Sequence, residues 1–224
     1  MTTSTGALPR SASFEEWEKA RMRLLSKEKV VTRAMDELAA ERRRLPMVPV
    51  EEEFTFTGGE GEVSLIDLFQ GRRQLIVYCA MLEAGAKPCE GCSMVMDNVG
   101  HNLAHVHARD TTFVFTSPAP QAEIVALQKR MGWNAQWYTD HGRRFADAFG
   151  AGTGFAVNVF IRDDENRVYR TYFTTARGGE LFDTHFRLLD LTPFGRQETW
   201  EDTPAGRPQT PPYEWWRLHD DYGT

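Results

Sequence analysis

Leu75-Ile76-Val77-Tyr78-Cys79-Ala80 forms an unbroken apolar run behind Gln74. A strand with one wet face alternates apolar and polar residues, so a continuous run marks a strand covered on both faces. That requirement restricts the chain to a sheet with packing layers on either side. Thr111 to Thr116 is a second run of this kind, and Ala122 to Met131 carries Ile124, Leu127 and Met131 at helical spacing. Asp97 to Ala108 also reads as helix. Further on, Phe155–Ile161 and Arg167–Phe173 flank Arg162-Asp163-Asp164-Glu165-Asn166, a β-hairpin by composition, and Gly179–Leu191 reads as a last helix. Glu53 to Thr57 alternates before a glycine-rich turn, and Ile66–Phe69 is a short helical piece.

The order β, α, β, α, ββ, α calls for parallel neighbours joined by crossover helices, with an antiparallel hairpin added at one side. This is a thioredoxin-like three-layer α/β plan. Before it, Ser13 and Glu16 form a capping box for one long helix to about Arg44. Phe14, Trp17, Arg21, Leu24, Glu28, Val31, Met35 and Leu38 recur along it at spacings of three and four. A helix with so narrow a stripe is marginal by itself and is expected to lie across the domain or against a second subunit, as in a homodimer. After the core, Pro193 to Thr224 is polar, proline-rich and irregular. The expected division is a helical arm over 1–48, the core over 49–192 and a C-terminal extension over 193–224.

The chain has 224 residues, 41% of them hydrophobic, enough for a substantial core. A net charge of −6 argues against general nucleic-acid or anionic-membrane binding. No apolar run approaches the ~18 residues of a membrane span. The N-terminal stretch lacks a basic segment leading into an apolar one, so the expected location is cytoplasmic. Three cysteines cannot staple a chain of this length, and a close pair in a reducing compartment points to catalysis, redox sensing or metal.

That pair is Cys89-Glu90-Gly91-Cys92. At the start of a helix, unpaired N–H groups and the positive end of the dipole favour a thiolate at Cys89. Cys92, one turn on, can then resolve a mixed disulfide. Glycine at 91 leaves access, whereas Glu90 opposes the thiolate by its charge. Three other readings stay open: inert structural cysteines, a Cu or Zn binding protein or metalloenzyme in which Cys89 and Cys92 join His101 and His105, or a non-catalytic binding module for a small metabolite. A continuous helix over 92–101 would separate its ends by about 13.5 Å, too far for one metal. Cys79 is most simply a small core residue, with a third-thiol role as the alternative. Gly150-Ala151-Gly152-Thr153-Gly154 lacks dinucleotide-loop spacing, and no Gly-x-Ser-x-Gly elbow occurs.

Arg73–Tyr78, Cys89-x-Gly91-Cys92-Ser93, Asp97-Asn98, Ala108-Arg109-Asp110, Arg130-Met131-Gly132-Trp133, Ala176-Arg177-Gly178 and Leu189–Arg196 come in an order that resembles a thioredoxin-like bacterial family, domain of unknown function 899. Its members are sometimes labelled dithiol-disulfide oxidoreductases. The resemblance spans about residues 14–222. It implies a redox pair at Cys89 and Cys92, acting on a disulfide, a peroxide or another small molecule without a cofactor, and accessory roles for Arg109, Arg177 and Arg196. Two departures stand out. Thioredoxins carry a cis-proline before the strand that faces the pair, whereas Gly154-Phe155-Ala156-Val157-Asn158 has none, which weakens the case for protein substrates. Cys79 and Ala80 stand where the family leads one to expect His and Phe.

Overall fold

The computed structural model describes residues 8–223. Two compact units form: residues 1–46 with 189–212, and residues 47–188 with 213–224. Residues 193–212 fall in the first of these and residues 213–223 in the second.

The larger unit is built on a single eight-stranded sheet. Its strands are β1 (Val48–Pro49), β2 (Thr55–Gly58), β3 (Gly61–Ser64), β4 (Gln74–Cys79), β5 (Thr111–Ser117), β6 (Trp137–Thr139), β7 (Ala156–Arg162) and β8 (Val168–Thr174), in the spatial order β1-β8-β7-β4-β5-β6-β2-β3. β4 runs parallel to β5, β7 lies antiparallel on the other side of β4, and β8 is antiparallel to β7. These four strands with their crossover helix are the thioredoxin-like core. β6 extends it in parallel beside β5, and the β2–β3 hairpin closes that side.

The two apolar runs occupy the middle of the sheet because both faces are covered. Leu75, Val77 and Cys79 of β4 turn to one face, among Phe56, Phe69, Phe145 and Phe160. Tyr78 turns to the other, among Phe115, Ile124 and Met96. The first face is closed by the turn Asp67–Phe69 and α5 (Arg144–Ala148), the second by α2 (Glu90–Val99) and α4 (Gln121–Met131).

Two sequence expectations change, and one strand is added. The helix expected over Asp97–Ala108 is interrupted: α2 caps at Gly100, whose N–H donates to Met96 O, and α3 is only Ala104–His107. The helix expected over Gly179–Leu191 divides into a 3₁₀ segment, Ala176–Phe182, and α6 (Thr184–Asp190), with extended Asp183 between them. β6 was not anticipated, since three residues carry no usable period.

In the smaller unit, α1 (Phe14–Arg42) starts with the expected capping box, Ser13 Oγ accepting from Glu16 N–H and Glu16 accepting from Ser13 N–H. None of its residues is buried. Arg196 makes a paired contact with Asp190 at 2.8 and 3.0 Å and lies over the Trp200 ring. No helix among the described residues is long and apolar enough to cross a membrane.

Candidate active site

The parallel strand β4 ends at Cys79, a loop follows, and the chain enters α2 with Cys89 as its N-cap. An N-cap residue has extended backbone while its side chain faces the unpaired N–H groups of the first turn. Cys89 uses its sulfur in this way: Cys92 N–H donates to Cys89 Sγ at 3.4 Å. The Cys92 thiol also hydrogen-bonds this sulfur, and these donors, the thiol first, lower the Cys89 pKa to about 6 against burial and the charge of Glu90. Glu90 is itself engaged by Lys87 at 2.6 Å, which tempers its repulsion.

Cys92 lies deeper, buried against the sheet, and is held up as a neutral thiol chiefly by its bond to Cys89 and by desolvation. Its sulfur receives Met81 N–H at 3.4 Å and the Tyr78 hydroxyl at 3.6 Å. One thiol is therefore poised to ionise while its neighbour is held protonated. Both are free cysteines.

Tyr78 was not singled out in the sequence. In a strand, consecutive side chains face opposite ways, so Tyr78 meets α2 and Cys79 does not. Cys79 lies in the core of the other face, buried and pushed up to about 12 by desolvation. Its placement is that of a small core residue, on the face of β4 away from the pair. Arg109 is exposed just before β5, where its carbonyl accepts from Gln74 at the start of β4, the opposite end of that strand from the cysteines. Arg177 does reach the site, paired with Glu180 at 2.8 Å. Arg196 belongs to the other unit, where it holds Asp190. The set Cys89, Cys92, His101 and His105 is not assembled: His101 follows the end of α2, His105 is exposed on α3, and no metal-holding group of three or more His, Cys, Asp or Glu occurs among the described residues.

Beside the cysteines opens an apolar cavity of ≈ 320 Å³. Tyr78, Phe155, Phe186, Tyr213 and Trp216 form its walls, with Arg177 and Glu180 also lining it. Tyr78 and Phe155 stack with centroids 5.4 Å apart and planes 4° from parallel. Two glycines make this arrangement possible. A Cβ on Gly91 would come within 2.6 Å of the Trp216 ring, and one on Gly179 within 2.5 Å of Phe155.

Strand order, crossover and a Cys-x-x-Cys at the helix start define a thioredoxin-like α/β protein with a dithiol at the end of its central strand. The chain belongs to a family of bacterial proteins of unknown function (DUF899), whose pattern matches residues 7–222. No curated protein matches it in sequence. Among solved structures it is similar to a hypothetical protein of Sinorhizobium meliloti, with 17% identity and TM-score 0.41 over 60% of this chain and 75% of that one. An exposed lipoprotein thioredoxin of Streptococcus pneumoniae gives 13% and 0.42 over 56% and 90%. A putative thiol:disulfide interchange protein of Chlorobium tepidum gives 14% and 0.42 over 64% and 97%.

Proposed function

We propose that the protein is a dithiol-disulfide oxidoreductase in which Cys89 attacks and Cys92 resolves. The observation that carries this reading is the geometry of the pair: Cys89 caps the start of α2 with its sulfur, accepting Cys92 N–H at 3.4 Å, and Cys92 is buried beneath it, an arrangement that lowers the Cys89 pKa to about 6 and keeps Cys92 neutral. The thiolate is the nucleophile, so at neutral pH most Cys89 is in the reactive form.

The Cys89 thiolate attacks one sulfur of a substrate disulfide. The substrate S–S bond breaks, and one half leaves as a thiolate that takes a proton from solvent. Cys92 then gives up its proton and attacks Cys89 Sγ, releasing the other half as a thiol and closing a Cys89–Cys92 disulfide. The substrate gains two electrons and the protein dithiol loses two. A thiol or dithiol reductant restores the starting state. Met81 N–H and the Tyr78 hydroxyl support the negative charge that develops on Cys92 in the second step.

The test is turnover of a model disulfide with dithiothreitol as reductant. Cys89→Ser abolishes turnover above the uncatalysed rate, and Cys92→Ser, mixed with the disulfide in the absence of dithiothreitol, stops at a mixed disulfide on Cys89 visible by mass spectrometry. Absence of wild-type turnover, or unchanged turnover in Cys89→Ser, overturns the proposal.

A further inference from the structure

We infer that the substrate is a low-molecular-weight aromatic disulfide that enters the cavity beside Cys89, and not a polypeptide. This rests on the oxidoreductase reading above. Two main-chain groups of the segment before β7 are already engaged within the chain, which disfavours a polypeptide lying along it. The Phe155 carbonyl accepts the Thr175 hydroxyl at 2.6 Å, and Gly154 N–H donates to Ala151 O at 3.0 Å. Gly179, in the 3₁₀ segment Ala176–Phe182, packs directly on the Phe155 ring.

What remains beside the sulfurs is an apolar, half-open cavity lined by aromatic rings. A cavity of ≈ 320 Å³ sits at the small end of ligand pockets. Tyr213 and Trp216, 4.5 Å apart between centroids, line it together with the stacked pair Tyr78 and Phe155. Several π surfaces lining one cavity favour a planar ring, by offset or edge contacts. The sulfur of such a ring lies next to Cys89, which lines the same cavity.

The experiment compares reduction of dithiodipyridine, glutathione disulfide and insulin by the full chain, each rate divided by that of free dithiothreitol with the same disulfide. The expected result is the largest ratio for dithiodipyridine. Phe155→Ala and Trp216→Ala each lower that preference about tenfold, the equivalent of one lost aromatic contact. Gly91→Ala, which displaces Trp216 without deleting a ring, lowers it as well. An unchanged pH midpoint for Cys89 alkylation certifies that each variant keeps its site. In the Cys89→Ser/Cys92→Ser variant, dithiodipyridine still quenches tryptophan fluorescence while glutathione disulfide does not. Reduction of all three disulfides with equal ratios overturns the substrate class and leaves the oxidoreductase reading standing. Reduction of none overturns both.

A separate observation assigns a partner to α1: a second copy of this chain, packed antiparallel. Phe14, Trp17, Leu24, Val31, Met35 and Leu38 are between 47% and 73% exposed on a helix with no buried residue. With Arg21 and Glu28 they follow an unbroken 3-4 spacing, the heptad repeat that keeps one seam facing a partner. A parallel pair would set Arg21 against Arg21 and Glu28 against Glu28. Antiparallel pairing aligns Phe14 with Leu38, Trp17 with Met35, Arg21 with Val31 and Leu24 with Glu28 of the second copy. Arg21 then lies one layer, roughly 5 Å, from the opposite Glu28. Within one chain these two already meet at 3.0 Å along the seam. Sedimentation equilibrium of the full chain is expected to give twice the chain mass. Arg21→Glu weakens association about tenfold, and Arg21→Glu with Glu28→Arg restores it. A monomeric wild type, or a double variant no better than the single, overturns the assignment.

Discussion

At the scale of single residues, the pair behaves as one electrostatic unit. The largest influence lowering Cys89 is the Cys92 thiol, ahead of the backbone donors of α2. Cys92→Ala removes that donor, so the midpoint for Cys89 alkylation by iodoacetamide rises from about 6 toward the ordinary thiol value, while Cys92→Ser, which keeps a donor, moves it less. Equal midpoints in the wild type and Cys92→Ala would show that the backbone donors suffice. Sequence made the position of Cys89 and Cys92 at the start of α2 legible, because a Cys-x-x-Cys after a buried strand implies a helix start. It did not make Tyr78 legible. Choosing between Tyr78 and Cys79 requires knowing which face of β4 receives α2, and an apolar run covered on both sides carries no alternation to say so.

At the scale of elements, helix ends decide what the sequence reveals. The capping box of α1 was legible because both partners lie within four residues. The end of α2 was missed because part of what fixes it is remote in sequence: Asn134 N–H is bonded to the Gly100 carbonyl from a distant loop. Asp140 was missed for a similar reason. Its buried carboxylate accepts Phe145 N–H at 3.0 Å and Ala146 N–H at 2.9 Å, opening α5 from five residues away, beyond the usual capping spacing. Asp140→Ala leaves both donors unpaired in an apolar setting and is expected to destabilise the protein by about 1–3 kcal/mol. Asp140→Asn, which retains one acceptor, loses less. Urea unfolding distinguishes them, and an Ala variant within error of wild type would rule out a structural role for this carboxylate.

For the whole molecule, the order of the central elements followed from periodicity, whereas the sheet's far side did not, because pairings such as Thr57 with Thr139 join residues distant in sequence. Cooperative stability links the site to this whole fold. The folded Cys89 value, about 6, lies below the ordinary thiol value of 9.0, so the thiolate contributes stability to the reduced protein above the unfolded value and loses it as pH falls through about 6. Each pH unit inside that window adds up to ~1.4 kcal/mol to the reduced form. The oxidised form has no thiolate at Cys89 and gains instead from a closed four-residue loop, about 2 kcal/mol and independent of pH. Below pH 6 the oxidised protein is therefore expected to melt higher. Between pH 6 and 8.5 its advantage shrinks steadily and then reverses, because the two contributions become comparable within about two units. Calorimetric melting of both forms across this range reads the difference directly, and a difference that does not change with pH would mean that ionisation of Cys89 is not coupled to folding.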